Sequence, residues 1–340
     1  MKKIFKNVVG IIPGLTVSVI IAVVAKFIEG LMPMHIIGAS VIALFIGMII
    51  NSFWRPKVLA SGIRFTAKKI LRLAIILLGA SLSVNVILSV GKMSLMVMFF
   101  TLLTCFGGGC LIGKALGLNW KLSSLISAGT GICGGSAIAA IAPVIDADDS
   151  DVAYAMSATF LFDMVMIILF PIMGRMIGLS DMAYGLWAGT AVNDTSSVVA
   201  AGYAFSEGAG DFATMVKLTR TLSIIPTVLA FSFINLKLKK KNNELTVDKK
   251  VNIVKLIPWF IVGFVMLSIV NSLGLIPQFV SLGAKEISKF LMVSALAAIG
   301  LNTSFKDMKK SGINPMLHGF IISALVVIVA ILVEWCIGLV

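Results

Sequence analysis

Four glycines fall within eight residues, Gly129-Thr130-Gly131-Ile132-Cys133-Gly134-Gly135-Ser136, in the middle of an apolar run covering 122–145. A run of that length matches one bilayer-spanning helix, roughly 20 residues for a hydrocarbon core of about 30 Å. Each glycine costs a helix about 1 kcal/mol relative to alanine. In hydrocarbon a freed peptide group costs more still, so interrupted backbone persists only where protein buries it or a wet cavity borders it. The segment therefore predicts a spanning helix broken at mid-depth, the arrangement with which secondary transporters build substrate sites. Ser136 is placed to cap the second half-helix.

Of the 340 residues, 59% are hydrophobic and 13% charged, with a mean hydropathy of +1.07. Soluble domains carry about 25% charged residues, so most of this chain belongs in a bilayer. Eleven apolar spans are predicted, at 10–28, 34–53, 70–88, 93–113, 122–145, 152–174, 182–205, 213–235, 256–273, 286–303 and 314–338. With the N-terminus cytoplasmic, the inner segments hold 21 of the 28 Lys and Arg residues. That asymmetry follows the positive-inside rule. It places the basic 237–255 segment inside, and the C-terminus and the acidic 146–151 loop outside. The net charge of +13 is thus an orientation signal, and no nucleic-acid partner is expected. The lysines of 237–255 also suit anionic lipid headgroups.

Cys105, Cys110, Cys133 and Cys336 all fall inside apolar spans and read as small buried residues, with no disulfide framework. The first span is too long for a removable signal peptide and lacks a cleavage site. The chain reads as one all-α transmembrane domain: an extra N-terminal helix (1–33), then five spans in 34–180 and five in 181–340. Five crossings per set make the second set an inverted copy of the first, as around a midplane transporter site. The fourth span of each set would carry a break, at 129–136 and at 297–304, where Ala297, Ala298, Gly300, Asn302 and Thr303 are small or polar. The two segments are expected to meet near the midplane.

A second motif, Asn193-Asp194-Thr195-Ser196-Ser197, sets five polar residues near the centre of a span. A carboxylate at that depth must face the bundle interior or a cavity. These residue types are also the preferred N-caps, so the motif can start a half-helix and aim free N–H groups at a ligand. Lys217 and Arg220, three apart on one helix face, are candidates for anion recognition, Arg offering a planar fork for oxyanions. Asp163, mid-span, is a coupling candidate beside Asp194. The substrate-binding set is Thr130, Gly131, Cys133, Gly134, Gly135, Ser136, Asn193, Asp194, Thr195, Ser196, Ser197, Lys217, Arg220, Asn302 and Thr303. His35 and His318 lack metal-ligand spacing, and no metal or cofactor is expected. No zinc-protease, intramembrane aspartyl-protease or Walker motif is present, so no enzymatic activity is expected. Ser136 or Ser197 with Asp194 is the sole candidate pair for a hydrolase reading, and a receptor would need an output domain. The expected partners are a small anion, lipid, a coupling proton or sodium ion, and a second copy in a homodimer. A carrier of a small organic acid is the alternative within transport.

At these motifs the chain resembles the YeiH-type family of bacterial inner-membrane proteins, labelled sulfate exporters. The resemblance rests on Gly131-Ile132-Cys133-Gly134-Gly135-Ser136-Ala137-Ile138-Ala139-Ala140, on the run from Trp187 through Asn193-Asp194-Thr195-Ser196-Ser197 to Gly202, and on Val216-Lys217-Leu218-Thr219-Arg220. It covers nearly the whole chain. It implies a fold like that of the bile-acid/arsenite/riboflavin transporter group, with two inverted five-helix repeats and crossing broken helices. It also implies an inner-membrane location and a sulfate-like anion as substrate. Many members carry histidine where this chain has Asn193, which speaks against proton coupling through that position here.

Overall fold

The computed structural model describes residues 2–31, 39–54, 57–241, 259–302 and 312–340. Thr303 and most of the 237–255 segment lie outside them. Every element among the described residues is helical: α1 (Lys2–Leu31), α2 (Ala39–Phe53), α3 (Ala60–Phe65), α4 (Leu71–Gly79), α5 (Val84–Leu103), α6 (Gly109–Ala115), α7 (Trp120–Gly131), α8 (Gly135–Ile141), α9 (Asp149–Ile177), α10 (Asp181–Ala191), α11 (Thr195–Phe205), α12 (Glu207–Leu222), α13 (Ile224–Lys241), α14 (Trp259–Ser272), α15 (Gln278–Asn302) and α16 (Ile313–Cys336). Five-residue π turns join α3 to α4 and α5 to α6. Five stretches have the length and apolarity to cross a membrane: Gly10–Leu31, Val84–Ala115, Ser150–Ile177, Glu207–Leu238 and Ile313–Cys336. The molecule is a polytopic helical membrane protein.

One predicted span is displaced. The chain turns at 80–83, between α4 and α5, so 70–88 is not a single helix. Helix instead runs from Ala60 to Gly79. Arg64, Lys68, Lys69 and Arg72 interrupt the apolar run in sequence, but all four are exposed, opposite buried Gly62, Ile63, Thr66, Leu71 and Ala74. A helix tolerates charge on one face when the other face packs.

The chain divides into two compact units. The first holds Met1–Ser89, Val199–Gly210 and Trp259–Asp307, the second Val90–Val198, Asp211–Pro258 and Met308–Val340. In the first unit α15 packs along α2 and α4, with α1 against α2 and α15. The second break expected at 297–304 is absent as far as the description extends, because α15 runs unbroken through Asn302. Its small residues serve close packing instead. A Cβ on Gly300 would run into the carbonyl oxygen of Leu44, and one on Gly47 would lie 2.5 Å from that of Ala297. Small side chains let two helix backbones approach where no apolar solvent force drives them together.

In the second unit α7 and α16 both pack on α9, α16 also meets α7 and α10, and α8 packs between α9 and α13. Leu125, Ile126, Ile132, Ile138 and Val228 belong to its apolar core. This unit carries the residues of both polar motifs through Val198, together with Asp163, Lys217 and Arg220.

Candidate functional site

The glycine segment folds as a helical hairpin. Asn119 caps α7, its Oδ1 accepting the Leu122 N–H at 2.7 Å, while its Nδ2 donates to Asp151 at 3.2 Å. Lys121 Nζ donates to the Asp146 carbonyl at 2.6 Å. Asn235 Nδ2 donates to the Val144 carbonyl at 2.9 Å and to Asp146 Oδ2 at 3.2 Å. The entry and exit of the segment therefore lie at one end of the unit. With 12 residues in α7 and 7 in α8, its arms reach about 18 and 10 Å at 1.5 Å per residue. Neither arm spans a core of about 30 Å. This overturns the expected crossing at 122–145 and the placement of 146–151 on the face opposite the start of the 237–255 segment, since the end of α13 meets Val144 and Asp146; residues 242–255 lie outside the described ones. Single cysteines at Asp148 and at Lys237, in a cysteine-free background, are expected to react from the same face of the membrane. Reaction from opposite faces would contradict the hairpin.

The tip is residues 132–134. Ile132 ends α7 at φ −120°, and Gly134 starts α8 at φ +62°. That conformation suits glycine, and a Cβ there would also lie 3.2 Å from Asp194 Cβ. Gly135 is the first residue of α8. Ser136 does not cap it: the N-cap is Gly134, with no side-chain bond, and Ser136 is exposed in the first turn. Cys133 is buried in the turn.

A second hairpin tip lies at 192–194. Gly189 on α10 faces Ala213 and Val216 of α12, and the Val192 carbonyl meets Lys217 and Arg220. Hence α10 and α12 run parallel, and α11 leads from the tip back to Glu207, where α12 begins. Asp194 is the cap of α11, its Oδ2 accepting from the Ser196 N–H at 2.9 Å and from the Ser196 hydroxyl. Asp163 on α9 reaches the same turn. Its Oδ1 accepts the Asn193 N–H at 2.9 Å and its Oδ2 the Asp194 N–H at 2.8 Å. Those amides precede a helix and have no intrahelical acceptor, so a carboxylate from a neighbouring helix satisfies them. Thr195 opens α11, and Ser196 and Ser197 are buried behind the tip.

Both tips are held by α12. Lys217 Nζ donates to the carbonyls of Ile132 at 2.7 Å and Val192 at 3.0 Å. Arg220 donates from Nε to Gly131 at 2.7 Å, from Nη2 to Thr130 at 2.6 Å and from Nη1 to Val192 at 3.2 Å. These carbonyls end α7 and α10, where a cation is favoured by the helix dipole. Lys217 and Arg220 are each 0% exposed, and among the described residues neither forms an ion pair with a carboxylate. A lysine has three N–H donors and an arginine five. The bonds above leave one on Lys217 and two on Arg220.

Behind the tips lies a looser polar cluster. Asn193 Nδ2 approaches Ser323 Oγ at 3.3 Å and the Thr159 carbonyl at 3.5 Å, and Thr130 Oγ1 lies 3.5 Å from Ser323. The Asn193 Oδ1 is buried without a partner. Asn302 ends α15 in the first unit, exposed. The sequence reading did not reach Thr159, Ser323 or the bond between His318 and the Gly109 carbonyl at 2.9 Å. Serine and threonine are common in spanning helices and carry no distinctive signal.

Two half-depth hairpins stapled at their tips inside a multi-pass helical bundle define a class of membrane protein with a buried polar centre. The family model described as Conserved hypothetical protein 698 matches residues 13–319, and the chain belongs to that family, the YeiH-type UPF0324 membrane proteins. It is 58% identical over 334 residues to a UPF0324 membrane protein of Clostridium tetani, covering 96% of this chain and 97% of that one. It is 42% identical over 311 residues to a UPF0324 membrane protein of Streptococcus mutans, covering 88% and 89%.

Proposed function

We propose that the chain is a secondary carrier that moves a small anion, of which a sulfur oxyanion such as sulfate is the first to test, across the bacterial inner membrane. The observation that carries this reading is the pair of fully buried cations, Lys217 and Arg220, meeting two hairpin tips with no carboxylate among the described residues paired to either. Charge at that depth is costly and is retained for a task. Carbonyl dipoles answer part of it, and the remaining N–H groups suit an oxyanion. Asp163 and Asp194 stand near the same tips, and an anion beside Asp194 is favoured only when a proton or cation neutralises that carboxylate.

In this reading nine rods cross the bilayer, and the 120–146 and 181–206 segments enter as hairpins from opposite faces. The N-terminus is cytoplasmic and the C-terminus outside. Thermal unfolding of the purified chain against sulfate, sulfite, thiosulfate and small carboxylates, at constant ionic strength, tests the substrate class. Saturable stabilisation by one of them is expected, about 2.7 kcal/mol at a hundredfold excess over Kd. A flat response across the series would contradict the reading.

A further inference from the structure

Among the described residues, Glu334 is a buried acid near the end of α16. It is 0% exposed, and neither carboxyl oxygen has a hydrogen-bond partner. It lies near the C-terminal end of α16, in the run Ala330-Ile331-Leu332-Val333-Glu334-Trp335, whose Leu332 and Trp335 face outward. Buried carboxyl groups in proteins are almost always bonded or paired, and an ionised carboxylate cannot stand alone in such surroundings. The neutral acid can.

The placement matters as much as the burial. Eleven residues separate Ser323 from Glu334, about three helical turns or roughly 16 Å, so both fall on the same face of α16. That face meets the hairpin tips at Ser323, which lies near Asn193 and Thr130. One turn on, the Val327 carbonyl accepts from Trp187 Nε1 at 2.9 Å. Buried Val326 and Ala330 fill the interval to Glu334. The face thus runs from the polar centre to a solitary acid through apolar side chains alone.

The register from Trp187 and Val327 sets Glu334 beside the start of α10 and the end of α9. The titratable groups there are Asp181 and Tyr184 on α10 and Arg175 on α9, and none of them bonds to Glu334. The other half of α16 meets α6, α7, the π turn and the first half of α9, as at Asn314 with Leu116 and Gly319 with Ala158. Lys114, Lys121, Cys105, Cys110, Asp151, Tyr154 and Asp163 belong to that half, with His318.

We propose that Glu334 is a proton-binding site. It holds one exchangeable proton while α16 is packed as seen here, and releases it when the face it shares with α9 and α10 opens to water. On release the O–H bond breaks, its electron pair stays on the carboxylate, and the proton passes to a water molecule. Opening during a transport cycle rests on the carrier reading, whereas the bound proton does not.

Infrared spectra of the full chain in lipid nanodiscs test the proposal at neutral pH. A carboxylic-acid carbonyl band that shifts in D2O is expected in the parent and absent from Glu334→Gln. Glu334→Met supplies the same subtraction if the glutamine variant does not accumulate. The parent's unfolding constant should also rise about tenfold per pH unit relative to Glu334→Gln above pH ~4.3, where the unfolded chain releases this proton. A carboxylate signature at neutral pH, or identical pH dependence in both proteins, would overturn the site. Should the band be present while reconstituted vesicles move no anion, the carrier reading fails and the site stands.

Discussion

Replacing Arg220 by glutamine is expected to cost at least about 1–3 kcal/mol of stability, the range for leaving one buried acceptor without its donor. The side chain donates to Thr130, Gly131 and Val192 while fully buried. Glutamine is too short to replace all three, and each carbonyl left bare costs about 1–3 kcal/mol. Arg220→Lys should rescue little, because a single ammonium lacks the fork that spans Thr130 and Gly131 together. Lys217→Gln should be milder, since it removes two bonds and leaves the arginine clamp. Thermal unfolding of the three variants reads the order directly. Equal stability of Arg220→Gln and the parent would mean that the staple is not formed.

Asp163→Asn is expected to displace the second tip. Each carboxyl oxygen accepts a backbone N–H, from Asn193 and from Asp194. An amide presents one acceptor and turns its NH2 against the other donor. The loss is about 1.5–3 kcal/mol for a hydrogen bond to a charged group, together with the anion stabilisation predicted above. The variant is nearly isosteric, so preserved anion stabilisation in Asp163→Asn would show that the tip does not depend on Asp163.

The two polar motifs were legible in the sequence because each breaks a strong rule: adjacent glycines inside a span, and an aspartate at mid-depth. What the sequence did not show was the path of the chain through them. A 24-residue apolar run reads as a crossing whether it goes through or doubles back, and only the Asn119, Lys121 and Asn235 bonds distinguish the two. The acidic 146–151 run looked external, yet Asp and Glu contribute little to orientation, so its sign carried no information. Ala297, Ala298 and Gly300 resembled a break by composition and turned out to be a packing face, where smallness serves close approach of α2 and α15. The roles of Lys217 and Arg220 were half legible: their pairing on one face followed from spacing, but their use on helix-ending carbonyls depends on a turn with no sequence signature.

In the proposed carrier, both hairpin tips and the two cations beside them form one anion site. Counterflow of labelled sulfate, sulfite and thiosulfate in proteoliposomes, comparing the parent with Asp163→Asn and Lys217→Gln, tests it most directly. Exchange of at least one of these anions above protein-free vesicles is expected, and its loss in both variants, which act from different helices, Asp163 on the second tip and Lys217 on both. No exchange by the parent across the series, or exchange undiminished in both variants, would contradict it.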